Sequence, residues 1–165
     1  MATIDPPSLR SALGRFPTGV TVITTIDAAG EPIGLTANSY NSVSLDPPLV
    51  LWSLAKTALS MPAFSQCQAF AIHVLGADQQ ELAQRFATRG ADKFAQLETR
   101  PGFGGVPVLD GCVAHFECEL AQRIEGGDHV IFLGRVMHFE AGDQEPLVFH
   151  RGAFARVAPQ GAVQP

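Results

Sequence analysis

The chain has 165 residues, 46% of them apolar and 16% charged, with a formal net charge of −5. It is long enough to bury a core in one domain and too apolar to stay disordered. A mild acidic excess argues against general nucleic-acid binding, which needs a basic face to neutralise phosphates; a local positive pocket for a small anion remains open.

"MATIDPPSLRSALGRF" lacks the basic-then-apolar pattern of a signal peptide, and no apolar run approaches the ~18 residues of a membrane span. A cytoplasmic protein that enters no membrane is expected. Ser8, after Pro6 and Pro7, reads as the N-cap of a short helix with Leu9, Leu13 and Phe16 on one face, ending before Pro17. "GVTVITTID" (19–27) alternates as a strand, with Val20, Val22 and Ile26 opposite Thr21, Ile23 and Thr25. "PIGLTANS", "SVSL" and "LVLWSL" continue as strands, separated by a "DPP" break. "KTALSMPAF" reads as a helical turn capped by Thr57 or Ser60, and "FAIHVL" (70–75) as a strand.

Residues 78–94 carry the strongest helix pattern, with Asp78 as N-cap, Glu81 in the first turn, and Leu82 and Phe86 at i and i+4. "RPGFGGVPVLDG" reads as loop. "CVAHFECELAQRI" and "HVIFLGRVMHF" form two strands around an "EGGD" turn, with Gly134 a bulge or close-approach site, and "PLVFHRGAFARV" supplies one last short strand. Seven or eight strands and two or three helices without βαβ alternation predict a mainly β chain, an antiparallel Greek-key barrel decorated by helices. Residues 158–165 read as a tail.

GxSxG, GxxxxGK[ST], HExxH and GxGxxG are all missing from the chain. Of His73, His115, His129, His138 and His150, none pair at i, i+4, so no metal site is expected; His73 and His115 read as structural. Cys67, Cys112 and Cys118 show no CxxC spacing and read as buried thiols of a reducing compartment.

The unusual stretch is "GLTANSYNSVSLDPPLVLWSLAK" (34–56), small and polar from Thr36 to Asn41 between apolar strands. Short side chains there let backbone amides approach a flat polar heterocycle. Ser53, Lys56, Thr57 and Ser60 then gather hydroxyls and a cation at a helical turn, a donor set for phosphate. On the residues alone, a Ser/Thr turn that merely satisfies its own backbone stands equally open.

"FPTGVTVITT", "GLTANSYNSVSLDPPLVL", "FAIHVL", "GDHVIFLGRV" and "PLVFHRGAF", in this order and spacing, resemble the flavin reductase family over about residues 8–157. These are the FMN-binding split-barrel reductases of two-component flavin-dependent monooxygenases. The resemblance implies a homodimeric six-stranded antiparallel barrel that binds FMN (FAD in some members) in a surface groove, with NADH or NADPH stacked over it. Reduced flavin would then pass to a monooxygenase component. It implies flavin contacts from Gly34, Leu35, Thr36, Ala37, Asn38 and Ser39, from Ser53, Leu54 and Ala55, and from Lys56 and Ser60 at the phosphate. Arg85 and Phe86 would add a second contact, Lys93 and Phe94 a weaker one, and His129, His150 and Arg151 the nicotinamide side. No acid or base residue is expected to be catalytic, because the two cofactors carry the hydride chemistry. Phe149 and Phe154 stand where many relatives have tyrosine, and Leu59 where a basic residue often helps the phosphate, which favours flavin as a released substrate. Three other functions fit such a barrel: an electron carrier or sensor that retains flavin, a pyridoxamine-phosphate-oxidase-like enzyme, and an interaction module without flavin.

Overall fold

A computed structural model describes residues 3–158, so all but the first residue of the expected tail lies outside the described residues. Helix α1 (Pro6–Leu13) is capped by Asp5, whose carboxylate accepts from the Ser8 amide at 3.0 Å and the Ser8 hydroxyl at 2.6 Å. Ser8 is therefore a donor to the cap and not the cap itself. Pro6 and Pro7 open the helix, because a first-turn proline gives up only an N–H that would have no partner there. The apolar face does not dock: α1 buries no residue, and Leu9, Leu13 and Phe16 stay exposed.

The expected antiparallel β architecture is present, with twelve strands among the described residues. Seven form one sheet: β2 (Thr21–Ile26), β3 (Pro32–Ala37), β4 (Asn41–Leu45), β5 (Pro48–Ala55), β6 (Ala69–Val74), β9 (Ala114–Gly126) and β10 (His129–Ala141), in the order β3-β2-β6-β9-β10-β5-β4. The others are short. β1 (Thr18–Gly19) pairs with β11 (Leu147–His150), which forms a hairpin with β12 (Ala153–Arg156), and β7 (Thr99–Pro101) pairs with β8 (Pro107–Leu109). These explain the excess over the expected count. "RPGFGGVPVLDG" folds into part of a hairpin and not a plain loop, and the C-terminal strand breaks at Arg151-Gly152.

Helix α2 (Met61–Gln66) follows Ser60, which sits at the cap position without a side-chain capping bond. The helix expected over 78–94 is shorter: α3 covers Gln80–Ala87. Gln79 and not Asp78 holds the N-cap position, Thr88 leaves helical geometry at ψ 129°, and Gly90 turns the chain at φ +71°.

β2 explains the arrangement of the core, because both of its faces are covered. Val20 and Val22 pack with Leu75, Ala83, Phe86, Leu109 and Leu147 under α3. Ile23 points the other way, towards Trp52, Phe64, Phe70 and Phe132. Trp52 is fully buried there and stacks on Phe132 at 4.7 Å, so it is barrel packing. The buried hydroxyls of Thr21, Thr24 and Thr25 donate to the carbonyls of Ala37, Pro107 and Ala69, which offsets their desolvation. Gly134 is both things the sequence offered. The β9–β10 register shifts between Leu133 and Gly134, and a Cβ on Gly134 would come 2.5 Å from the Phe70 ring.

The sheet curls so that β3 approaches β5 without a full backbone ladder between them. Ser39, just past β3, bridges this seam. Its hydroxyl donates to the Ser53 carbonyl at 3.1 Å and accepts from the Ser53 amide at 2.9 Å.

Candidate functional site

A cleft of about 660 Å³ opens at the seam, within the ~300–1,000 Å³ typical of small-ligand sites. β3 supplies one wall from Ile33 to Thr36, and Leu54 and Ala55 of β5 supply the other. The Thr57–Ser60 turn and residues 86–94, from the last turn of α3 onward, complete the lining. β3 has a ladder partner on one side only, so alternate backbone groups on its free edge are left for a ligand.

Side chains behind β3 fix its position. Thr36 donates its hydroxyl to the Ala83 carbonyl at 2.6 Å, tying the strand to α3. A Cβ on Gly34 would lie 2.5 Å from Phe86 Cε1 and 3.2 Å from Phe94 Cζ. Gly34 is thus small because two aromatic rings press against it, a reason the sequence argument did not contain. Phe86 is fully buried, so it supports the cleft from inside the core.

The polar lining of the cleft includes the Thr57 and Ser60 hydroxyls, Arg89 and Lys93. Lys93 donates to the Gly34 carbonyl at 3.1 Å, and burial lowers its ammonium pKa below the ordinary lysine value. Leu59 lines the same cleft, where Arg89 supplies a cation that position 59 lacks. Glu31 and Asp92 share the rim. Hydroxyls, two cations, a free strand edge and apolar walls form a donor set that fits a phosphorylated flat heterocycle such as FMN.

The expected residues divide into groups. Gly34, Leu35, Thr36, Leu54, Ala55, Ser60 and Phe86 converge on the cleft. Ala37 is buried beneath it, and Ser39 and Ser53 form the seam clasp. Lys56 lies beside the cleft with its ammonium 2.5 Å from Glu125, and Arg85 turns away to the Ala95 carbonyl at 3.1 Å. His129 is registered opposite Ala55, at the far end of the β5 wall, and its Nδ1 lies 2.7 Å from the Asp128 carboxylate, which that contact holds below the usual carboxylate range. Asn38 and Arg151 line a second cleft, against α1, and His150 ends the β11 strand nearby. Arg89 was missed: an arginine just past a helix end carries no pattern signal, and only the chain reversal near Gly90 brings it over the cleft.

One histidine group also escaped the sequence spacing because it assembles across strands. His115, Glu117 and His138 bring their ligating atoms within 4.8 Å of one another on β9 and β10. Arg100 occupies this group, donating to Glu117 at 3.2 Å and to His115 Nε2 at 3.0 Å. The guanidinium supplies the positive charge there, and the cluster reads as a structural clamp on the β7–β8 hairpin. Burial pushes the Glu117 carboxyl up, but the Phe103 amide and Arg100 outweigh it and leave it lowered.

The described residues thus form an antiparallel split barrel with a hydroxyl- and cation-lined cleft at its seam. The chain belongs to the flavin reductase like domain family, whose model matches residues 13–158. It is 51% identical over 153 residues to FMN reductase (NADH) SmoA of Agrobacterium fabrum, covering 93% of this chain and 87% of that protein. It is 41% identical over 161 residues to the flavin-dependent monooxygenase reductase subunit HsaB of Rhodococcus jostii, covering 97% of this chain and 82% of that one. The NADH:FAD oxidoreductase of Streptomyces globisporus, solved with NAD and FAD fragments, superposes with a TM-score of 0.88 at 41% identity, over 96% of this chain and 98% of that one. Some relatives are longer: the chain spans 48% of one from Rhizobium meliloti that is 47% identical to it.

Proposed function

We propose that the protein is an NADH-dependent flavin reductase that transfers hydride to FMN and releases the reduced flavin to a separate flavin-dependent monooxygenase. The observation that carries this reading is the seam cleft, where the free edge of β3 faces the hydroxyls of Thr57 and Ser60 and the cations Arg89 and Lys93. The names of the relatives from Agrobacterium fabrum and Rhodococcus jostii support it. When bound, the nicotinamide and the flavin would supply the hydride chemistry between them, with the proton taken from solvent. The protein's part is to bind and orient both rings and to keep the strand edge aimed at the flavin's polar rim. Gly34, Leu35, Thr36, Leu54 and Ala55 hold the ring system, with Ser60, Arg89 and Lys93 at the phosphate. His129, at the end of the β5 wall, stands on the nicotinamide side.

The same reading takes the chain as one domain, cytoplasmic and homodimeric. No helix among the described residues is long and apolar enough to cross a membrane. Val43 and Leu45 on β4, and Met137 and Phe139 on β10, are apolar and exposed and offer surface for a second copy. Light scattering tests the dimer. Absorbance at 340 nm tests the activity: rapid NADH oxidation under air that depends on added FMN supports the reading. A yellow protein that oxidises neither NADH nor NADPH refutes it and points to a bound-flavin carrier.

A further inference from the structure

The β7–β8 hairpin begins a few residues after the 89–94 segment that lines the flavin cleft, and two imidazole lone pairs hold it. On β7, Arg100 Nη2 lies 3.0 Å from His115 Nε2. A guanidinium can only donate, so His115 Nε2 is the acceptor and its ring is neutral in this arrangement. On β8, the Leu109 amide donates to His73 Nε2 at 3.0 Å, which makes that ring a neutral acceptor too. The two rings are cross-strand partners on β6 and β9, with centroids 6.3 Å apart. A proton on either Nε2 turns an acceptor into a donor and breaks one anchor of the hairpin.

The surrounding charges decide where the proton goes. His73 is fully enclosed, and burial pulls its pKa down to about 4. His115 has a carboxylate at hand, with Glu117 Oε1 3.4 Å from its Nε2. The same oxygen accepts from Arg100 Nη1 at 3.2 Å, while Oε2 accepts from the Phe103 amide at the hairpin tip at 2.7 Å. A charged His115 competes with Arg100 for Glu117 and repels the guanidinium. Arg100 has other partners to turn to, because the exposed carboxylates of Glu140 and Asp110 lie 3.6 and 3.8 Å from it. His138, 3.3 Å from Glu140, adds to the positive side when it is protonated. Arg100 already bridges His115 and Glu117, so protons and not a bound cation set the balance of charge here. Loosening passes along the chain through residues 95–98 to the cleft wall, where Phe94 meets Phe86 edge-on at 5.1 Å and Lys93 donates to the Gly34 carbonyl.

We propose that the β7–β8 hairpin is a proton-operated latch on the flavin cleft: protonation of His115 transfers Glu117 from Arg100 to the imidazolium, frees the hairpin and weakens flavin binding. The link to flavin rests on the reductase reading above. The test compares the wild-type chain with His115→Gln, whose amide oxygen can still accept from Arg100 but takes up no proton, and with Arg100→Gln. Thermal melts at about pH 8 first establish that each is folded. Riboflavin affinity is measured by fluorescence at about pH 8 and about pH 5.5, riboflavin being chosen because a phosphate monoester itself titrates near pH ~6. Hydrogen exchange of the amides of residues 99–109, corrected for its intrinsic pH dependence, is followed under the same conditions.

Between the two pH values the wild type is expected to lose about fivefold or more in riboflavin affinity, and its hairpin amides to exchange about tenfold faster at the acid one. His115→Gln should change less than about twofold in both readouts, and Arg100→Gln should exchange fast at both pH values. Equal acid losses in wild type and His115→Gln overturn the latch, and so does a wild-type hairpin whose exchange ignores pH. A loosened hairpin with unchanged riboflavin affinity overturns its coupling to the cleft. If His115→Gln does not fold, slow hairpin exchange in Arg100→Gln at the higher pH overturns the latch instead. If the wild type binds no riboflavin at either pH, the reductase reading falls by itself, and hairpin exchange still decides whether the latch exists.

Discussion

Gly34→Ala separates two reasons for a glycine in the cleft wall. The new methyl would lie 2.5 and 2.8 Å from the edge of the Phe86 ring and 3.2 Å from Phe94. Phe86 cannot swing away, because it is fully buried among Val20, Val22, Leu75 and Leu109 and meets Phe94 edge-on at 5.1 Å. Overpacking of this kind costs about 1–3 kcal/mol. Gly34 is not among the positive-φ glycines, so alanine also stiffens the unfolded chain and returns up to about 1 kcal/mol. The net expectation is a loss of about 1–2 kcal/mol, a Tm drop of about 2–8 °C for a chain this size. Phe86→Leu added to Gly34→Ala should recover part of that loss. Thermal melts of both variants, with FMN titrations on each, are the assay. An unchanged Tm with weakened FMN binding would refute the packing argument and leave ligand approach as the reason for the glycine.

Arg89→Ala should weaken FMN binding about tenfold and riboflavin less than about twofold, since only FMN carries the phosphate; Lys56→Ala, whose ammonium is engaged by Glu125, should have the smaller effect. Fluorescence titration with both flavins checks this, and equal losses for the two would remove Arg89 from the phosphate. His73 is buried as a neutral ring, with Leu109 N–H donating to Nε2 and Nδ1 facing the Val22 carbonyl, and burial pulls its pKa down from 6.5 to about 4. The unfolded chain therefore takes up a proton that the folded chain refuses, so stability should fall as pH drops from 6.5 to 4, by about 3 kcal/mol in total. Urea melts across that window should show a steeper pH slope for wild type than for His73→Gln; parallel slopes would contradict it. Arg123 donates to the Phe64 and Cys67 carbonyls at the end of α2, so Arg123→Met should lower stability by about 1–3 kcal/mol without altering the NADH-to-NADPH preference. A changed preference would contradict this structural role.

Much of this was legible from alternation. The β5 segment declares itself because every second residue meets the core, β2 and β6 because both of their faces do, and "TANS" announces a strand that gives way to a turn. Boundaries fared worse where the deciding contact is distant. The reach of α3 depends on how the chain leaves Thr88 and reverses at Gly90. The cap of α1 depends on a carboxylate three residues ahead of the serine that looked like the cap. Within the site, positions on β3 and β5 could be placed because strand neighbours share a wall. Lys56, Arg85 and Arg89 could not be ranked from sequence, since which long cation reaches the cleft depends on the partners that hold the others, Glu125 and the Ala95 carbonyl.

The clasp between Ser39 and Ser53 has a further consequence for handling the protein. A fully closed barrel presents no sheet margin to a neighbouring molecule, whereas this one leaves β3 and β4 as two margins and joins the seam by a single hydroxyl. Exposed margins of this sort recruit strands from other molecules. Lys93, reaching across to the Gly34 carbonyl, acts as one guard against that. A bound ligand lying along β3 would act as another, so the ligand that the seam admits also protects solubility. Concentrated preparations without flavin should cloud sooner than those kept with it.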